Sequence, residues 1–236
     1  MGFMRRIGYD PKHINTYVIL LSAPLLLSIY RVRGAAEHFR DWFPGFGGHP
    51  IEEVLAVLFQ WSAFFIIVGL IPALYARIKM KTSFRDLGGG LGDRRFGSIF
   101  VVVTLPIVIL PIAYISSAMP EIMSEYPMAR VLFSRPDMIV WYELAYILIY
   151  YTAWEFYFRG FLLFGLEKTF GGVNAILIQT ISSALVHIGK PEGELMGAIV
   201  VGVIFGALAL RTRSFWYGFI IHASLGVLVD LFVLMG

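Results

Sequence analysis

Residues 154–160 read Trp-Glu-Phe-Tyr-Phe-Arg-Gly. This stretch puts a carboxylate, Glu155, and a guanidinium, Arg159, four positions apart in a run that is otherwise apolar. On a helix that spacing sets both side chains on one face, one turn apart. The flanking residues, from about 138 to 166, read as a membrane span. An ionisable group inside such a span costs about 2.5–3.5 kcal/mol on insertion scales. Two within one turn point to a function that needs them.

The rest of the chain supports the membrane reading. Of its 236 residues, 58% are hydrophobic and only 15% charged, against about 25% charged in soluble domains. The mean hydropathy is +0.75. Apolar blocks lie at about 14–30, 54–75, 97–118, 138–166, 172–188, 195–210 and 215–235; the shorter ones are marginal for a hydrocarbon core, and 138–166 is too long for one straight crossing and is expected to leave the core near Glu167-Lys168. The expected fold is therefore an all-α polytopic membrane protein with about seven transmembrane helices. The first block follows Arg5 and Arg6 but has no small-x-small cleavage signal, so it is read as a retained span.

The net charge of +3 does not point to nucleic acid, because the cations fall in short loops between spans. Arg5, Arg6, Lys12, Arg77, Lys79, Lys81, Arg85, Arg94, Arg95, Lys168, Arg211 and Arg213 would share one side. Arg31, Arg33, Arg40, Arg130, Arg135 and Lys190 would share the other. The richer side faces the cytoplasm, which puts the N-terminus inside and the C-terminus outside. The chain has no cysteine, which excludes thiolate nucleophiles and Cys-type metal sites. The run Gly88-Gly89-Gly90-Leu91-Gly92 has no Lys-Ser/Thr after it, so it reads as a flexible basic loop and not as a P-loop. The segments 31–50 and 119–137 read as connectors on the outer side. Asp137 reads as a helix cap and Glu143 as an interfacial acid.

Two histidines fall inside apolar runs, His187 after Ala184-Leu185-Val186 and His222 between Ile221 and Ala223. His13, His38 and His49 lie in polar segments. Counted at about 1.5 Å per residue, Glu155 and His187 come to similar depths and His222 to a shallower one. A glutamate in a wet pocket can activate water as a general base. Histidine N–H groups can hold that water or stabilise an oxyanion, and Arg159 can orient the carboxylate. These groups describe peptide or amide hydrolysis without a covalent intermediate. Two histidines and a glutamate can also hold zinc. The spacing shows no helical H-E-x-x-H, so zinc is the weaker route and no cofactor is expected. A buried polar knot between helices is the structural alternative, and a proton relay of an ion-coupled transporter is the functional one. Inverted repeats, the usual mark of such transporters, are not visible.

In this order, these residues resemble the CPBP family of intramembrane proteases, which includes the CAAX prenyl endopeptidase and bacterial relatives once called Abi proteins. The family pattern of Glu-Glu-x-x-x-Arg, Phe-x-x-x-His and His-x-x-x-Asn/Asp is matched by Trp154–Arg159, Ser183–His187 and His222–Gly226. Phe161-Leu162-Leu163 and Ala209–Ser214 are also similar. The resemblance implies a four-helix catalytic core over 138–236, with 1–137 as accessory transmembrane helices and loops. It further implies an intramembrane endopeptidase of glutamic or metallo type in a bacterial inner membrane, acting on a membrane-bound or lipidated protein. Glu155, Arg159, His187 and His222 are the expected catalytic residues, with Glu194 and Asp230 in support. The oligomeric state is not implied. Three family positions differ: the first glutamate is Trp154, the phenylalanine is Ser183 and the Asn/Asp is Gly226. Asp230 follows His222 by eight residues, about 12 Å along the axis, too far to replace the missing side chain. Either Glu155 has become the base, with His187 beside it on the water and His222 on the oxyanion, or the fold persists without catalysis as an immunity or scaffolding protein.

Overall fold

The computed structural model describes residues 6 and 8–236. Arg5, one of the cations counted for orientation, lies outside the described residues. Among the described residues the chain is helical, with no strand. The long helices, in chain order, are α1 (Pro11–Arg33), α2 (Glu52–Ile78), α3 (94–117), α4 (139–170), α5 (Gly172–Leu185), α6 (Glu192–Thr212) and α7 (Trp216–Met235). Five segments, α1, α2, Arg85–Ser117 (which contains α3), α6 and α7, are long and apolar enough to cross a membrane. α5 is apolar but shorter. α4 is long, yet its tyrosines, tryptophans and the Glu155–Arg159 pair dilute its hydropathy. The outward faces carry rows of exposed Leu, Ile, Val and Phe, among them Leu21, Leu25, Ile66, Ile107, Ile115 and Leu148. Apolar surface of that extent is stable against lipid.

α4 is the axis of the bundle. Residues 153–164 are buried without a break, as expected of a helix with neighbours on every side. The helix widens into π-type turns at Tyr146–Tyr151 and Phe156–Leu162, on either side of Glu155. Such turns are frequent at functional sites because they re-aim side chains. α5 packs along α6, and α7 against α3 and α4. One hydrophobic cluster joins Ile19, Phe64 and Val68 to Trp154, Phe158, Leu162, Ala175, Ala209 and Phe215. The helices before and after residue 138 thus share a core.

Several loops and acids differ from the sequence reading. The glycine run is folded down, not slack. Phe215 N–H donates to the Gly88 carbonyl (3.0 Å), Trp216 Nε1–H to that of Gly89 (3.0 Å) and Tyr217 O–H to that of Leu91 (2.6 Å). Asp137 is no cap; it takes a two-pronged pair from Arg135 at 2.9 and 2.7 Å. Glu143 is not interfacial, being only 6% exposed. It lies beside the fully buried Asp230, and neither carboxyl has a hydrogen-bond partner among the described residues.

Candidate active site

Three of the expected side chains meet. Glu155, fully buried on α4, accepts a hydrogen bond from His222 Nδ1 of α7 at 2.7 Å. Arg159 Nη1 lies 3.4 Å from the same oxygen, Glu155 Oε1. With a carboxylate as the acceptor, the neutral form of His222 carries its hydrogen on Nδ1 and presents Nε2 as a hydrogen-bond acceptor. The His222 side chain is 18% exposed, whereas those of Glu155 and Arg159 are at 0% and 2%. The imidazole is therefore the link between the sealed ion pair and the open space beyond it.

α7 comes this close because it is glycine-bearing at two turns. Gly218 lies against Glu155, where a Cβ would stand 3.2 Å from Oε2. A Cβ at Gly226 would overlap the Tyr151 hydroxyl. Tyr151 thus fills the space in front of Gly226, and its ring lies edge-on to His222 at 4.8 Å.

The open space is a cleft of about 1010 Å³ lined by residues that include Trp154, His187, Glu194, Tyr126, Tyr151 and His222. His187 Nδ1 donates to the Ser183 carbonyl at 2.9 Å, which again leaves Nε2 free. His187 Nε2 stands 3.9 Å from Glu194 Oε1. Tyr126 O–H donates to the Glu194 carboxylate, 3.0 Å from each oxygen. Burial, with the Glu194 charge in second place, holds the Tyr126 hydroxyl well above its ordinary range, so it stays a donor at physiological pH. Lys190 pairs with Glu125 at the rim.

Trp154 divides the two histidines. Its ring lies edge-on to His187 at 5.3 Å and to His222 at 6.0 Å, and stacks on Phe64 at 5.6 Å. The structure brings Glu155, Arg159 and His222 together and sets His187 with Glu194 across the tryptophan. The expected pairing of Glu155 with His187 on one water is not the one found: Glu155 has no open face, and its partner is His222. The depth mismatch counted for His222 disappears, because α7 runs beside α4 with Glu155 and His222 in register. Asp230 is absent from the cleft and lies with Glu143.

Sequence reasoning missed Tyr126 and Tyr151. Tyr126 sits in the 119–137 segment read as a connector, and its contact with Glu194 spans 68 residues, so no local pattern could reveal it. Gly226 was a signal for Tyr151, as an empty position facing an unknown filler. For zinc, no group of three or more His, Asp or Glu side chains among the described residues could hold a metal ion.

A bundle of apolar helices, with an ion pair sealed in its middle and two imidazoles facing a cleft, defines a polytopic α-helical membrane protein with an internal polar site. Residues 136–228 match the family model of type II CAAX prenyl endopeptidase, Rce1-like, proteins. That segment holds all three motifs and agrees with the resemblance read from the sequence. No curated protein and no solved structure matches the chain.

Proposed function

We propose that this protein is an intramembrane endopeptidase that hydrolyses a peptide bond of a membrane-bound or lipidated protein substrate. The observation that carries this reading is the 2.7 Å bond from His222 to the sealed Glu155, with the other edge of His222 on the cleft. Glutamate acts on water through the imidazole. His222 Nε2 takes a proton from a water in the cleft while Glu155 fixes its tautomer and stabilises the imidazolium that forms. Arg159 balances Glu155 before and after the transfer. Glu194, with His187 beside it, accepts a hydrogen bond from the second O–H of that water on the opposite wall, and that hydrogen stays on the hydroxide. The hydroxide adds to the scissile carbonyl, and His222 returns its proton to the departing nitrogen, so the group ends as it began.

Residues 138–236 supply the reacting groups, and helices from 1–137 supply wall residues such as Leu27, Tyr30 and Val57. The charge distribution supports a cytoplasmic N-terminus, which sets the cleft opening among the outer loops of a bacterial inner-membrane protein. Substrate would enter there, past Arg31 and Arg130. Purified protein reconstituted with a lipid-anchored peptide reporter should cleave it, and Glu155→Gln and His222→Ala should each lower kcat by about 10²–10⁴-fold while thermal unfolding shows an intact fold. Full cleavage by both variants would end the proposal.

A second reading, a non-catalytic binder on the same fold, is favoured by Trp154 standing where the family has its first glutamate. It is separated from the first by a cellular phenotype that survives Glu155→Gln.

A further inference from the structure

On the other half of the molecule a second cleft, of about 820 Å³, is lined by Lys81, Arg85, Arg94, Lys168 and Arg213, with Asp86 as its one acid. Arg213 is paired with Glu167 at 2.7 Å, and Asp86 accepts from the Ser83 hydroxyl at 2.6 Å. Lys81, Arg85, Arg94 and Lys168 have no ion pair within 4 Å among the described residues. Four cations without an ion pair against one lining carboxylate leave the cleft with an excess of positive charge, and that excess favours an anion.

The backbone gives a second, independent sign. Among the described residues, the two non-glycine residues with left-handed backbone are Lys81 (φ 55°) and Arg213 (φ 57°), and both line this cleft. That conformation is strained for a residue with a Cβ and is commonly left to glycine at helix ends. Here cations hold both places. The floor of the cleft is the glycine run, fixed by its bonds to the start of α7 and by Asp93, whose N–H donates to the Thr212 carbonyl at 2.8 Å and whose carboxylate pairs with Arg211 at 2.9 Å. Exposed Phe84, Leu91 and Phe96 lie in the same segment, which suits the boundary between hydrocarbon and water. Basic pockets at the cytoplasmic ends of spans take phosphate-bearing lipid headgroups.

We infer that this cleft binds an anionic phosphate group, with the headgroup of an acidic glycerophospholipid of the inner leaflet as its source. The reading stands apart from hydrolysis, because its measurement is binding alone. The full chain, delipidated in neutral detergent, is titrated with mixed micelles containing phosphatidylglycerol or phosphatidylcholine, and separately with inorganic phosphate. Binding is followed by native mass spectrometry and thermal shift. Phosphatidylglycerol should bind more tightly than phosphatidylcholine, and the triple variant Lys81→Ala/Arg85→Ala/Lys168→Ala should weaken it by about tenfold or more. The charge-matched variant Arg77→Ala/Lys79→Ala/Arg95→Ala, whose residues do not line the cleft, should weaken it far less. Equal losses in the two triples would replace the site with a diffuse field and overturn the inference, as would retention of full affinity in the first. Binding of inorganic phosphate with the same dependence on the cleft residues, and no gain from phosphatidylglycerol, would uphold the phosphate site and overturn the lipid source.

Discussion

In the histidine cleft, each group proposed for chemistry is held by a partner: Glu155 by His222 and Arg159, His187 by the Ser183 carbonyl, Glu194 by Tyr126. In the basic cleft, four of the five cations have no carboxylate within ion-pair distance among the described residues. α4 connects the two, with Glu155 in its middle and Lys168 some 13 residues, about 20 Å, further on. The contrast separates two uses of charge in a membrane protein. Charges sealed among apolar helices must be paired to be tolerated, and the pairing fixes the position and tautomer that proton transfer needs. Charges at the rim keep their water, so no desolvation cost forces each to pair within the chain, and their mutual repulsion is left for a ligand to relieve.

The comparison breaks first at the sealed pair. Arg159→Met would leave Glu155 without its cation, and we expect destabilisation of about 3–5 kcal/mol, measured as a fall in the thermal unfolding midpoint in detergent together with loss of cleavage. An Arg159→Met variant as stable as the parent would mean that the ion pair is dispensable. Packing around His222 gives the next effect. Gly226→Ala should push Tyr151 towards His222 and cost about 1–3 kcal/mol. Adding Tyr151→Phe should recover part of that, and a double-mutant cycle with no coupling would show that the two do not share the space.

A smaller change is expected on the far wall. Tyr126→Phe removes one hydrogen bond to a carboxylate, worth about 1.5–3 kcal/mol, so kcat/KM on a reporter peptide should fall by roughly 10- to 150-fold. Because the Tyr126 hydroxyl stays protonated, the fall should be uniform between pH 6 and 8, about the physiological range. A loss confined to high pH would mean that the hydroxyl titrates there. The smallest effect belongs to the basic cleft, where Lys81→Gly should stabilise the protein by about 1 kcal/mol through relief of the left-handed backbone. The same substitution should weaken phosphatidylglycerol binding, so stability and binding would move in opposite directions.

Most of the architecture was legible in the residue order. Blocks of Leu, Ile, Val and Phe at span length require lipid or burial, and loops rich in Lys and Arg divide them. The four candidate residues could be picked out for the same reason, since a polar side chain in an apolar run stands out by its cost. Glu143 shows the limit of that argument. Beside Trp141 and Tyr142 it looked like an interfacial acid, but α7 turns Asp230 towards it and both are buried. Trp154 could be recognised as a departure from the family, but not as the partition between two histidines.

The sequence by itself determined a polytopic helical membrane protein with a costly polar set on its last helices, because hydropathy and helical spacing act locally along the chain. Only the tertiary structure decided which imidazole meets Glu155, that Tyr126 reaches Glu194 across 68 residues, and that five scattered cations line one cleft. Those contacts depend on how helices far apart in the chain are set against one another, and helix register and rotation come from packing over many side chains at once.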